Sequence, residues 1–160
     1  MGRLFAWIAV IGVMVGLTAL FQAFTPGQQQ LMETVGSDGK LAVELRRGRG
    51  GHYRAEGQIN GHPIGFLVDT GATDVAISDK TARSMGLEFG PEIVVMTAAG
   101  PVKAWVSRLD TVNIGHLRRN NVRATITPGL GADALLGMSF LKHFSLQQKD
   151  DTLVIEQSGS

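Results

Sequence analysis

The stretch from Tyr53 to Gly71 constrains this chain most. Tyr53 to Ile59 and Pro63 to Val68 are runs of strand length, and Asn60-Gly61 lies between them. Asn and Gly both tolerate positive φ, so the pair predicts a two-residue β-hairpin. The returning strand runs through Phe66-Leu67-Val68 straight into Asp69-Thr70-Gly71. A carboxylate is thereby delivered at the end of an apolar strand. A hydroxyl that can brace a loop follows it, and then a glycine that lets backbone approach closely. By itself the tripeptide is better read as a plain strand-to-turn ending.

The rest of the chain has the same texture. Leu41, Val43 and Leu45 alternate with polar or small residues, as in a half-buried strand. Val75 to Ser78 is another short strand. Ser78 is placed to cap a helix over Asp79 to Met85, and Gly86 to end it. Ile93 to Thr97 and Val102 to Leu109 flank Ala98-Ala99-Gly100-Pro101, which predicts a second hairpin. Val112 to Ile114 and Val122 to Ile126 are weaker strands, and Thr127 to Asp133 is a glycine-containing loop. Ala134 to Leu136 is a short buried strand, with Gly137 turning into a small helix over Ser139 to His143. Ser145 to Gln148 and Leu153 to Glu156 pair around Asp150-Asp151. The 21 glycines among these short runs fit a turn-rich all-β domain over residues 41–160, with one or two short helices.

The N-terminus differs. Leu4 to Phe21 is apolar apart from glycines and Thr18. That length approaches the roughly 20 residues a helix needs to span a bilayer. Phe21, Gln22, Ala23 and Phe24 make a poor signal-peptide cleavage site, so residues 1–24 are read as an uncleaved transmembrane anchor. Arg3 precedes the span, and no Lys or Arg follows before Lys40. The positive-inside rule then leaves the N-terminus in the cytoplasm and exports the remainder, into the periplasm if the source is a Gram-negative bacterium. Residues 25–40, polar and rich in Gln and Gly, read as a flexible linker. Expected partners are therefore a lipid bilayer through residues 4–24 and whatever the exported domain binds. A formal net charge of +1 and no basic stripe argue against nucleic acid. The chain lacks cysteine, which excludes disulfides and thiolate metal sites. His52, His62, His116 and His143 have no ligand-like spacing, so neither metal nor cofactor is expected.

Three segments in order carry a family likeness. They are Phe66-Leu67-Val68-Asp69-Thr70-Gly71-Ala72-Thr73, the glycine-containing hairpin over Ile93 to Val106, and Ala134-Leu135-Leu136-Gly137-Met138-Ser139-Phe140-Leu141. In this order the chain resembles the retropepsins, the retroviral-type aspartic peptidases, and their bacterial membrane-anchored relatives. The likeness covers about the last 120 residues by inspection. It implies a closed, barrel-like β fold, two subunits per active site, and a water held between two aspartates. On this likeness Asp69, Thr70 and Gly71 take the catalytic-loop positions. The hairpin with Gly100 near its tip takes the place of the flap, and Gly137 that of the glycine in the apolar–apolar–Gly element. Ala72, Thr73, Ala99, Gly100 and Leu135 are the expected substrate-binding residues. Two departures stand out. Retroviral members usually carry an acidic residue where Thr73 stands, and an Arg that supports the dimer where Met138 stands.

One absence sharpens the reading. Aspartic chemistry requires two carboxylates close enough to share a proton, and this chain has a single Asp-Thr-Gly loop. A second chain must supply the other, so a homodimer with Asp69 opposite its own copy is expected. The expected activity is a membrane-anchored aspartic endopeptidase acting on protein or peptide substrates. The alternative is a non-catalytic module of the same fold that holds peptides or drives dimerisation at the membrane. Asp74, beside the loop, reads as a residue that ends or caps a turn. Arg46, Arg47 and Arg49 read as a solvated loop cluster. Gly137 to Leu141 lacks the final glycine of a nucleophile elbow, which argues against a serine hydrolase.

Overall fold

The computed structural model describes residues 32–35, 40–48, 50–97 and 100–158. The expected span over residues 4–24, most of the linker, and Ala99 lie outside the described residues. Among the described residues, no helix is long and apolar enough to cross a membrane.

Among the described residues, eleven strands and two short helices follow in order. The strands are β1 (Met32–Val35), β2 (Leu41–Arg46), β3 (Arg54–Ile59), β4 (His62–Val68), β5 (Val75–Ser78), β6 (Glu92–Thr97), β7 (Gly100–Ile114), β8 (Leu117–Thr127), β9 (Ala134–Leu136), β10 (Phe144–Lys149) and β11 (Thr152–Gln157). The helices are α1 (Asp79–Ser84) and α2 (Met138–Leu141). A four-stranded sheet runs β1-β2-β11-β10, and a seven-stranded one runs β3-β4-β9-β5-β8-β7-β6. An added β3–β7 pairing closes six of those seven strands into a barrel, with β6 outside the ring. The all-β barrel with two short helices agrees with the expected fold class.

The β3–β4 hairpin turns at Asn60 and Gly61 with φ of 49° and 82°, the positive-φ pair the sequence implied. Helix α1 begins at Ser78, whose Oγ accepts from the Thr81 N–H at 3.1 Å, and the chain leaves it through Gly86 at φ 66°. Barrel closure depends on Gly57. A Cβ there would lie 2.2 Å from the Asn113 carbonyl oxygen, so only glycine lets β3 meet β7 at this seam.

Three expectations are corrected. Val102 to Leu109 and Val112 to Ile114 are parts of one strand, β7, because β8 supplies ladder partners on both sides of Asp110, from Trp105 to Ile114. The second helix starts at Met138 and ends at Leu141, not over Ser139 to His143. Within the segment read as a linker, Met32–Val35 forms β1 and pairs with β2, covering backbone that would otherwise be an open sheet edge.

The core lies inside the barrel and under the four-stranded sheet. Phe66, Ile59, Ile77, Leu109, Ile126, Leu136, Phe140 and Ile155 are among its largest fully buried side chains. Alternation along the strands therefore gives the barrel wall one sealed face and one accessible face.

Candidate active site

Asp69 stands where β4 ends. Its N–H donates to the Leu136 carbonyl at 3.2 Å, tying the loop to the end of β9. The chain then folds tightly back. The Gly71 N–H donates to Asp69 Oδ1 at 2.9 Å, and the Ala72 N–H to the Asp69 carbonyl at 3.2 Å. One carboxylate oxygen is thereby oriented by backbone, and Asp69 remains half-buried. Thr70, Gly71 and Thr73 are exposed, and Ala72 is half-buried.

Helix α2 braces this loop from below. A helix start leaves N–H groups without intrahelical partners. Here Met138 N–H donates to the Ala72 carbonyl and Ser139 N–H to the Thr73 carbonyl, each at 2.8 Å. The approach is so close that a Cβ on Gly137 would lie 2.2 Å from the Asp74 carbonyl oxygen and 2.7 Å from that of Ala72. The apolar–apolar–Gly element thus earns its glycine sterically. Ser139 adds a second tie: its Oγ accepts from the Val75 N–H at 3.0 Å and donates to the Arg123 carbonyl at 2.8 Å.

Strand register shows what surrounds Asp69. Leu67 pairs with Arg54 on β3 and Leu135 on β9. Leu135 pairs with Ala76, Ala76 with Thr125, and Thr125 with Val106. Directly paired residues share a sheet face, and so do residues two apart on one strand. Leu67, Leu135, Ala76 and Val106 are half-buried, whereas Phe66, Ala134, Leu136, Val75, Ile77, Ala124 and Ile126 are sealed in the core. The accessible face is thus a mostly apolar strip, with Asp69 two residues beyond Leu67. Leu135, expected at the site, lies on this strip.

The β6–β7 hairpin continues from the same wall. Gly100 adopts φ 108° at its turn, and the Thr97 hydroxyl donates to the Gly100 carbonyl at 2.8 Å. Along β6, Val94 and Met96 are 66% and 78% exposed. Two large apolar side chains two residues apart on one strand face are thereby presented outside the core.

Sequence reasoning missed a polar cluster at the end of the loop. Asp74 Oδ2 accepts from Arg123 Nε and from Thr125 Oγ1, each at 3.1 Å. Arg54 and Asp133 form a second ion pair at the β3–β9 side of the strip. Both link residues far apart in sequence, so no local pattern announces them. Among the described residues, no group of three or more His, Asp or Glu side chains is arranged to hold a metal ion.

A family profile described as "gag-polyprotein putative aspartyl protease" matches residues 55–143, more than half of the chain. The chain belongs to the retropepsin-like aspartyl protease family. A crystal structure of a retropepsin-like aspartic protease from Rickettsia conorii is similar over 80% of this chain and 95% of that one, with a TM-score of 0.59 and 27% identity. An uncharacterized protein in the cobV 5′ region of a Sinorhizobium species is 33% identical over 139 residues, covering 84% of this chain and 59% of the relative. An uncharacterized protein of Rickettsia prowazekii is 32% identical over 116 residues, covering 71% of this chain and 50% of the relative. The chain therefore spans only about half to three-fifths of the length of these curated relatives.

Proposed function

We propose that this retropepsin-like chain is an aspartic endopeptidase whose active centre forms when two copies set their Asp69 carboxylates side by side. The observation that carries the reading is the Asp69 loop itself. One Asp-Thr-Gly turn, its carboxylate oriented by the Gly71 N–H, opens onto the accessible apolar strip and is clamped from beneath by α2. A peptide-holding module has no need of a carboxylate so placed.

The chemistry follows from two such carboxylates sharing one proton. The ionised member takes a proton from a water between them as the water oxygen bonds to the peptide carbonyl carbon. The neutral member hydrogen-bonds the carbonyl oxygen as negative charge develops there. The tetrahedral intermediate collapses when the C–N bond breaks and a carboxylic proton passes to the leaving amine. The substrate lies extended against the strip, in contact with Ala72, Thr73 and Leu135. The hairpin bearing Ala99 and Gly100 closes over it and excludes water, bringing apolar side chains such as those of Val94 and Met96 toward the substrate.

The apolar run over residues 4–21 supports a second element of the reading, a membrane anchor that holds the catalytic domain outside the cytoplasm. Confining two chains to one surface would raise their effective concentration and favour the dimer. Resistance of the full chain to alkaline extraction, with the domain digestible from outside spheroplasts, is the expected result. A domain shielded from added protease would overturn the orientation.

Cleavage of a peptide mixture by the full-length protein in detergent, inhibited by pepstatin, tests the activity. A purified dimer that bound peptides but cut none between acid and neutral pH would instead make this a non-catalytic module.

A further inference from the structure

We propose that Arg123, held by Asp74, is a specificity-determining residue that selects substrates with an acidic side chain a few residues from the cleaved bond. The inference rests on the peptidase reading above and deepens it by naming a substrate class.

Thr125 shares a sheet face with Ala76 through their pairing but is itself buried, and Arg123, two residues before it on β8, is the exposed residue of that face. Asp74 is two residues before Ala76. Contact confirms that these side chains converge, since Asp74 Oδ2 receives both Thr125 Oγ1 and Arg123 Nε. The pair therefore sits at one end of the face that carries Asp69. Three strand steps separate β4 from β8, about 14 Å at ordinary strand spacing. An extended peptide covers that distance in about four residues.

The two partners are unequal. The Asp74 side chain is only 13% exposed, and one oxygen already accepts two hydrogen bonds. The Arg123 side chain is 57% exposed and commits only Nε to Asp74. Among the described residues neither Nη of Arg123 has a hydrogen-bond partner. Asp74 thus fixes the guanidinium plane and leaves its two-nitrogen edge facing outward. That edge is the part of arginine that matches a carboxylate bidentately.

A second arginine adds to the field. Arg108 lies directly opposite Arg123 in the β7–β8 ladder, a like-charge placement that costs stability. Its Nη1 donates to the neutral Asn121 Oδ1 at 2.8 Å, so its charge is not neutralised there. Among the described residues, Asp110, two residues further along β7, forms no ion pair with either arginine. The outward edge of Arg123, with Arg108 beside it, is the part of this cluster that an acidic substrate side chain can reach.

The test compares peptide pairs that differ only by Glu or Gln at single positions two to four residues from a cleaved bond. The full-length protein is used in detergent. For an exposed charge pair, kcat/KM should favour the Glu peptide about fivefold at one position, mostly through KM. The ratio within each variant is the readout, which cancels any general loss of activity. Arg123→Gln should bring the ratio to about one, Arg123→Glu should invert it, and Arg123→Lys should keep part of it. A wild-type ratio near one at every position, or a preference that survives Arg123→Glu, overturns the proposal. Binding of the same peptides to an Asp69→Asn background, with and without Arg123→Glu, separates this proposal from the peptidase reading. If the wild type cuts nothing, a Glu preference in binding that is lost with Arg123→Glu still supports the subsite. Absence of that preference overturns it.

Discussion

The α-carbon of Gly137 is pressed against the backbone of Asp74, so that a Cβ on Gly137 would lie 2.2 Å from the Asp74 carbonyl oxygen. Both sides of the contact are backbone, and neither can swing away as a flexible side chain would. The loop that carries Asp69 therefore keeps its shape only if residue 137 has no side chain.

Gly137→Ala should accordingly displace the loop from α2. Overpacking of this kind costs about 1–3 kcal/mol, and backbone on both sides places this case at the upper end. Thermal denaturation of the variant should show a clear drop in Tm, together with loss of peptide cleavage larger than the stability change explains. An unchanged Tm would mean that the loop and helix are not in the contact described.

Ser139→Ala tests the second tie. The hydroxyl joins the Val75 N–H to the Arg123 carbonyl, and its removal leaves both without that partner. Loss of such bonds at a part-buried position costs about 1–2 kcal/mol. Denaturant titration should give a lower midpoint with an unchanged slope. Ser139→Thr, which keeps the hydroxyl, should recover part of the loss.

His143 gives a pH prediction. Burial, then the nearby charges of Arg119 and Lys142, lowers its pKa from the ordinary 6.5. The folded state therefore disfavours its protonated form, and the unfolded chain binds that proton more readily. The stability involved is present in full above 6.5 and is lost as pH falls from there through the lower folded value. The side chain is largely exposed, so the effect is small. His143→Gln should flatten the decline in Tm between about pH 7 and pH 5. An identical slope in the variant would assign that decline to other groups.

Much of the site was legible because its signals are local. Asn60-Gly61 demands positive φ at two adjacent residues, and the chain adopts it there. Ser78 caps α1 through a bond spanning three residues. What could not be read from one stretch of sequence is pairing between distant ones. Ring closure hangs on Gly57 meeting Asn113, and nothing around Gly57 distinguishes it from a turn glycine. Asp74 looked like a turn residue because its partners, Arg123 and Thr125, lie 49 and 51 positions away. The break expected between Leu109 and Val112 was also misleading. Asp110 and Thr111 are polar, yet the strand runs through them: Thr111 stands opposite Asn120 of β8, and its backbone N–H and carbonyl bond Asn60 at the β3–β4 turn.

The departures at Thr73 and Met138 gain meaning from this cluster. Thr73 offers no carboxylate beside the loop, and Met138 no guanidinium. The chain instead carries an acid–arginine pair one residue further along, between Asp74 and β8. An ion pair that braces the Asp69 loop is therefore present.

The central claim is that Asp69 is half of an active centre. Mixing wild-type and Asp69→Asn chains at fixed total concentration, with time for subunits to exchange, tests it most directly. If each centre needs an Asp69 from both copies, mixed dimers are dead and peptide cleavage falls as the square of the wild-type fraction. Cleavage that falls in simple proportion to that fraction, or that persists in pure Asp69→Asn protein, would contradict the account.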